Sequence, residues 1–208
     1  MKKLLITTMA IMSISTGNGS TPIKTDLSGI YIGGKFMYSM GVHKKVSSVS
    51  LRHDGLQGFE KGGYIKFQKD FQDIVIGLEN SFAYSNVEGK RTYRFNYIKV
   101  GEKIKKKNDI SICLNIGKKF NYPLIYGKIG FDRSKFAFRS YHDKFNKRLK
   151  GFIIGIGCEL PLSDKWYVGG EYNHIFFEKV SFSDKDIHSN PKYRINMSNF
   201  TGKLSYKI

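Results

Sequence analysis

Gly151-Phe-Ile-Ile-Gly-Ile-Gly-Cys-Glu-Leu160, Pro161-Leu-Ser-Asp-Lys165 and Trp166-Tyr-Val-Gly-Gly-Glu-Tyr-Asn-His-Ile-Phe-Phe177 form one continuous stretch, and its reading decides the fold. In a strand, side chains alternate between two faces with period two. The second arm then places Trp166, Val168, Gly170, Tyr172, His174 and Phe176 in one row and Tyr167, Gly169, Glu171, Asn173 and Ile175 in the other. The first arm sorts likewise, with Phe152, Ile154, Ile156, Cys158 and Leu160 against Ile153, Gly155, Gly157 and Glu159. Each less apolar row holds a carboxylate. The link between the arms is short and rich in residues that break a ladder or favour a turn. A hairpin with a greasy, aromatic outer face is built for a lipid bilayer.

Outward from this hairpin, the same alternation recurs over 30–40, 62–68, 74–84, 110–120, 124–138 and 197–208. The connectors expected between these segments are long at 42–61, 85–109 and 178–196, moderate at 139–150, and short at 69–73, 121–123 and 161–165. Long and short alternate if residues 93–100 belong to a loop, as a hairpin extension above the membrane. Eight membrane strands follow, with both termini on the short-turn side, as bacterial single-chain barrels require. A ninth strand at 93–100 would break that parity. The predicted fold is therefore all-β: an eight-stranded antiparallel up-and-down transmembrane barrel with long extracellular loops and short periplasmic turns. Residues 1–15 read as a signal peptide, with a cationic Met1-Lys2-Lys3 start and a short apolar run. Residues 16–28 are a short lead, and 29–208 the barrel domain. No apolar run is long enough for a transmembrane helix.

Composition agrees with this reading. Of 208 residues, 22 are Gly, 4 are Pro and 14% are aromatic, so a helical fold is disfavoured. The formal charge of +18 predicts attraction to polyanions without choosing among them. Cys113 falls on a polar row and Cys158 on an apolar one, which argues against a disulfide between them. Period two alone does not say which row faces out, and a soluble lipocalin-like ligand-binding barrel would invert it. Three features favour apolar-out. Gly, Lys, Glu and Tyr in the other row suit a narrow filled interior. Trp166, Tyr84, Tyr122 and Phe120 fall near strand ends, as in an interfacial girdle. The last strand also runs flush to the C-terminus.

Gly29-Ile-Tyr-Ile-Gly-Gly34, Ile125-Tyr-Gly-Lys-Ile-Gly130 and the Trp166 to Tyr172 segment resemble the small outer-membrane β-barrel family. That family includes opacity-type and outer-membrane-protein-A-type eight-stranded barrels and rickettsial-type surface antigens. The resemblance covers about residues 29–208. Ile208 stands where the family commonly ends in an aromatic. What the resemblance implies is a bacterial outer-membrane location, reached through the signal peptide, and adhesion as the function.

Two groups of residues carry the functional expectations. The first is a lumen charge network of Lys35, Lys66, Glu79, Lys128, Glu159, Glu171 and Lys203, expected to pack as salt bridges because unpaired charges there would be strongly disfavoured. The alternative for the same residues is a narrow pore for small solutes. The second is a polyanion-binding surface on two loops: Lys90, Arg91, Arg94, Lys103, Lys105, Lys106 and Lys107 in one, Arg139, Lys144, Lys147, Arg148 and Lys150 in the other. Residues 85–109 hold eight Lys and Arg against three acids, and 139–150 hold five against one, with Tyr93, Phe95, Tyr97, Tyr141 and Phe145 interleaved. The expected partners are outer-membrane lipid and lipopolysaccharide, and a host glycan or surface protein. An exported barrel seldom meets nucleic acid, so Lys105-Lys106-Lys107 is not read as a nucleic-acid site. His43, His53, His142, His174 and His188 have no triad or metal-site spacing. No enzymatic activity, cofactor or metal is expected, and the chain is expected to be a monomer.

Overall fold

The computed structural model describes residues 26–46, 53–95, 98–120, 123–139, 144–181 and 192–208. The region read as a signal peptide and most of the lead lie outside these. The strands are β1 Gly29–Val46, β2 His53–Phe71, β3 Ile74–Ser85, β4 Glu88–Phe95, β5 Ile98–Lys119, β6 Leu124–Arg139, β7 Lys144–Pro161, β8 Trp166–Phe177, β9 Val180–Ser181 and β10 Lys192–Lys207. All pairings are antiparallel, and β1 pairs with both β2 and β10, which closes the sheet. β4 prolongs β3: Asn86 N–H donates to Phe59 O at 2.9 Å and Lys106 N–H to Val87 O at 3.0 Å, so the ladder runs on across the break. β9 likewise prolongs β8 along β10. The result is a closed barrel of eight staves with no free edge, whose ladders pair backbone groups without water as a bilayer demands.

The greasy rows face out. Phe36, Phe82, Ile110, Phe131, Ile156 and Phe200 are all half or more exposed, while Lys66, Glu79, Lys128, Glu171 and Lys203 are buried. This is the reverse of a soluble ligand-binding barrel. Tyr84, Phe120 and Trp166 are exposed, as the girdle reading expects; Tyr122 lies outside the described residues. The tight turn between β2 and β3 holds Gln72 at φ 65, a left-handed conformation that closes a two-residue link. Inward glycines make room for lumen rings: a Cβ on Gly33 would lie 2.6 Å from the Tyr64 ring, and one on Gly157 would collide with the Tyr126 ring.

The connectors expected to be long are largely strand. β2 begins at His53, not near 62, and residues 88–95 and 98–105 form a paired hairpin prolonging β3 and β5, which adds no stave. The range 139–150 is mostly β7 from Lys144 onward. The physical reason is an inversion of facing. Above the bilayer the outward side meets water, so outward positions turn polar and inward ones apolar. Leu56, Val87, Ile104, Phe136, Phe138, Leu149, Ile153, Ile175, Phe177, Ile195 and Met197 pack inside as an ordinary protein core. Alternation with apolar-out ends there, although the strands do not.

Candidate functional site

From the end bearing the tight turns upward, the lumen is filled in layers. Leu27, Tyr31, Val75, Leu124, Tyr126 and Tyr167 form an aromatic floor, with Tyr31 and Tyr167 edge-to-face at 5.3 Å. Tyr31 donates to Leu27 O at 2.8 Å and so ties down the N-terminal lead. Above lies the first charge layer. Lys128 bridges Glu79 at 3.0 Å and Glu171 at 2.7 Å; Lys203 bridges the same pair at 2.6 and 2.9 Å; Lys66 pairs with Glu159 at 2.5 Å. Tyr126 donates to Glu171 at 2.6 Å, and Lys203 lies 4.2 Å from the Tyr64 ring centroid. Lys35 donates to Ser81, itself hydrogen-bonded to Ser111, both at 2.7 Å. A cavity of about 30 Å³ beside these residues separates the layer from a second one, room for about one water. In the second layer Lys106 reaches Glu60 at 2.8 Å and Asp109 at 2.5 Å, Ser39 donates to Glu60, and Ser134 donates to Asp132 at 2.5 Å. The apolar plug then caps the bore.

The outer basic surface is built on β5, β6 and β7. On β6 the outward row runs Ile125, Gly127, Ile129 and Phe131, then Arg133, Lys135, Ala137 and Arg139. On β7 Arg148 and Lys150 stand opposite Lys135 and Arg133. Lys103 and Lys105 reach Glu88 at 2.7 and 3.2 Å across the β4–β5 ladder. Those hydrogen bonds, chiefly from Lys103, hold the Glu88 carboxyl below the usual carboxylate range.

A closed eight-stave barrel, lipid-facing outside and ion-paired within, has a counterpart among known families. A family model described as the outer membrane protein beta-barrel domain matches residues 5–207. The chain belongs to this family. The barrel is accordingly an outer-membrane protein. Among solved structures, outer membrane protein AlkL in lipid bilayers aligns with a TM-score of 0.51 at 13% identity, over 92% of this chain and 98% of that one. The attachment invasion locus protein Ail of Yersinia pestis aligns at 0.46 and 15%, over 88% and 100%, and Neisserial surface protein A at 0.47 and 10%, over 87% and 98%. At such identities the likeness is one of fold alone. No curated protein matches the chain in sequence.

Within the barrel, all seven residues expected in a lumen network face the lumen. Six of them, Lys66, Glu79, Lys128, Glu159, Glu171 and Lys203, form one ion-paired group; Lys35 instead donates to Ser81. The basic-surface residues divide. Lys103, Lys105, Lys107, Arg139, Lys147, Arg148 and Lys150 are at least partly exposed. The side chains of Lys90, Arg91, Arg94 and Lys144 lie outside the described residues. Lys106 requires a correction: it is 0% exposed and belongs to the second charge layer. A bulge between Lys106 and Asn108 shifts the β5 register, so the inward row passes from Ile104 and Lys106 to Asp109, Ser111 and Cys113. Counting by twos back from Ile110 therefore assigns Lys106 to the wrong face. Sequence reasoning also missed Glu60 and Asp132 as members of a second network, and Arg133 and Lys135 as surface cations. The available signal for the last two was a charge directly following an aromatic in the outward row. Cys113 and Cys158 are free thiols. His174 is half-buried, packs on Phe176 at 4.5 Å and shares a hydrogen bond of 2.9 Å with Ser198. The side chains of the other four histidines lie outside the described residues. Among the described residues no group of three His, Cys, Asp or Glu could hold a metal.

Proposed function

We propose that this outer-membrane barrel is an adhesin-type surface protein whose basic outer face contacts lipopolysaccharide and polyanions such as sulfated glycans. The observation that carries the reading is the exposure of Lys107, Arg139, Arg148 and Lys150 above the apolar band, in a barrel that folds six carboxylates into the lumen. Glu60, Glu79, Asp109, Asp132, Glu159 and Glu171 are buried, so they do little to neutralise the outside. Attachment to surfaces is also what the family resemblance implies. The test is salt-gradient elution of detergent-solubilised protein from immobilised heparin. Exchanging Lys103, Lys105, Lys107 and Arg139 together for Gln should move elution to clearly lower salt, because each lost anion contact removes a share of the salt-dependent affinity. Elution at unchanged salt would sink the polyanion reading. Lys106→Gln is not part of this set, because Lys106 faces inward.

A further inference from the structure

Just above the bilayer, four outward cations stand as two facing pairs on β6 and β7. Arg133 lies directly opposite Lys150, and Lys135 opposite Arg148, in the β6–β7 ladder, all on the outward row. Cross-strand neighbours have Cβ atoms about 4.5–5.5 Å apart, and like charges so placed repel. Among the described residues none of the four forms an ion pair. Glu178, beside Lys150, accepts from its backbone N–H at 3.1 Å rather than from its ammonium. Among the described residues these four cations are thus kept together without a counter-ion.

One step lower on the same strands are Phe131, 66% exposed, and Phe152, also exposed, which mark the edge of the hydrocarbon. Two residues advance about 6.6–6.8 Å along a strand, so the cations stand one head-group depth above those rings. Elsewhere on the barrel the outward row behaves differently. Tyr84 is followed by Asn86, Phe59 by Gln57, Tyr38 by Met40, and Phe200 by Ser198. Lys61 on β2 and Arg194 on β10 are exposed too, but Lys61 stands singly between Phe36 and Tyr84. The two facing pairs on β6 and β7 argue for a discrete ligand carrying several negative groups at the hydrocarbon edge and acyl chains below it.

We propose that Arg133, Lys135, Arg148 and Lys150 bind the phosphates of a diphosphorylated, lipid A-type glycolipid of the outer leaflet. Its acyl chains lie against Phe131, Phe152 and the apolar rows beneath them. The guanidinium groups suit phosphate through paired donors, and the ammonium groups act as point charges. The site rests on the reading that the end opposite the termini faces outward and meets lipopolysaccharide. Its test is native mass spectrometry of the full chain in detergent, counting bound diphosphoryl lipid A against the same lipid stripped of phosphate. The variant combines Arg133→Gln, Lys135→Gln, Arg148→Gln and Lys150→Gln; heat-modifiability on gels reports its folding, and single Arg133→Gln and Lys150→Gln variants replace it should it fail to fold. About a tenfold or greater loss of lipid A is expected on losing the charge-assisted bonds, with a smaller loss in the singles. Millimolar inorganic phosphate should not compete, since it lacks the acyl contact; competition would assign the cluster to free phosphate and overturn the proposal. Equal binding of the two lipids by the wild type, or wild-type binding by the variants, overturns it as well. In the second case the lipopolysaccharide reading survives and only the site is lost. No binding of lipid A by the wild type overturns both.

Discussion

At the residue scale, Lys106 shows how a single register shift redirects a side chain from the outer surface to the interior. With its ammonium between Glu60 and Asp109 and no exposed surface, it holds two carboxylates that would otherwise be buried without a counter-ion. Removing one partner of a buried ion pair is far more damaging than replacing the whole group, because the charges left behind keep their desolvation penalty. Lys106→Met should therefore cost roughly 3–5 kcal/mol in denaturant unfolding of the detergent-folded barrel. Adding Glu60→Gln, Asp109→Asn and Asp132→Asn to that variant should recover part of the loss, since none of the layer's carboxylates then remains without a cation. Full stability of Lys106→Met alone would mean that the second charge layer is open to water.

At the element scale, β6 contains both halves of the barrel's logic in one strand. Phe131 faces outward at the top of the apolar band, and Phe136, five residues on, is wholly buried in the plug against Phe177 at 5.2 Å. The two rings sit in different solvents, so truncation should separate them. Phe136→Ala opens a cavity in a packed core and should cost roughly 3–5 kcal/mol. Phe131→Ala exposes a site that acyl chains refill, and should cost well below that. Unfolding of each variant in lipid vesicles, followed through Trp166, compares them directly; equal losses would contradict the inverted facing. The same strand explains what was legible beforehand. Ile125 to Phe131 alternate cleanly because lipid lies on one side and a polar lumen on the other, and the lower lumen network could be read from the opposite row. Above Phe131 the solvent changes sides, and so does the pattern, which makes strand resemble irregular loop at residues 53–61, 88–95 and 98–105. The lumen layer around Lys106 was hidden for a second reason, since a bulge leaves no mark in hydropathy.

At the scale of the whole molecule, the layers decide whether the barrel conducts. An eight-stave bore is just wide enough to be filled by side chains, and here it is filled by two kinds of matter. Ion-paired layers occupy the membrane-spanning depth, while a tyrosine-rich floor and an aliphatic and phenylalanine plug close the two ends. An ion crossing this bore would have to displace Lys128 and Lys203 from Glu79 and Glu171 and then pass the plug with no polar group to replace its hydration. The cavity of about 30 Å³ between the charge layers is too small to carry a hydrated ion. Purified protein reconstituted into a planar bilayer should accordingly show no reproducible unitary conductance. Thinning the plug by Phe136→Ala and Leu149→Ala together should leave that result unchanged, because the charge layers below still fill the bore. Discrete openings in the wild type would require the ion pairs to part at rest, and would restore the narrow-pore reading in place of a sealed scaffold for its outer face.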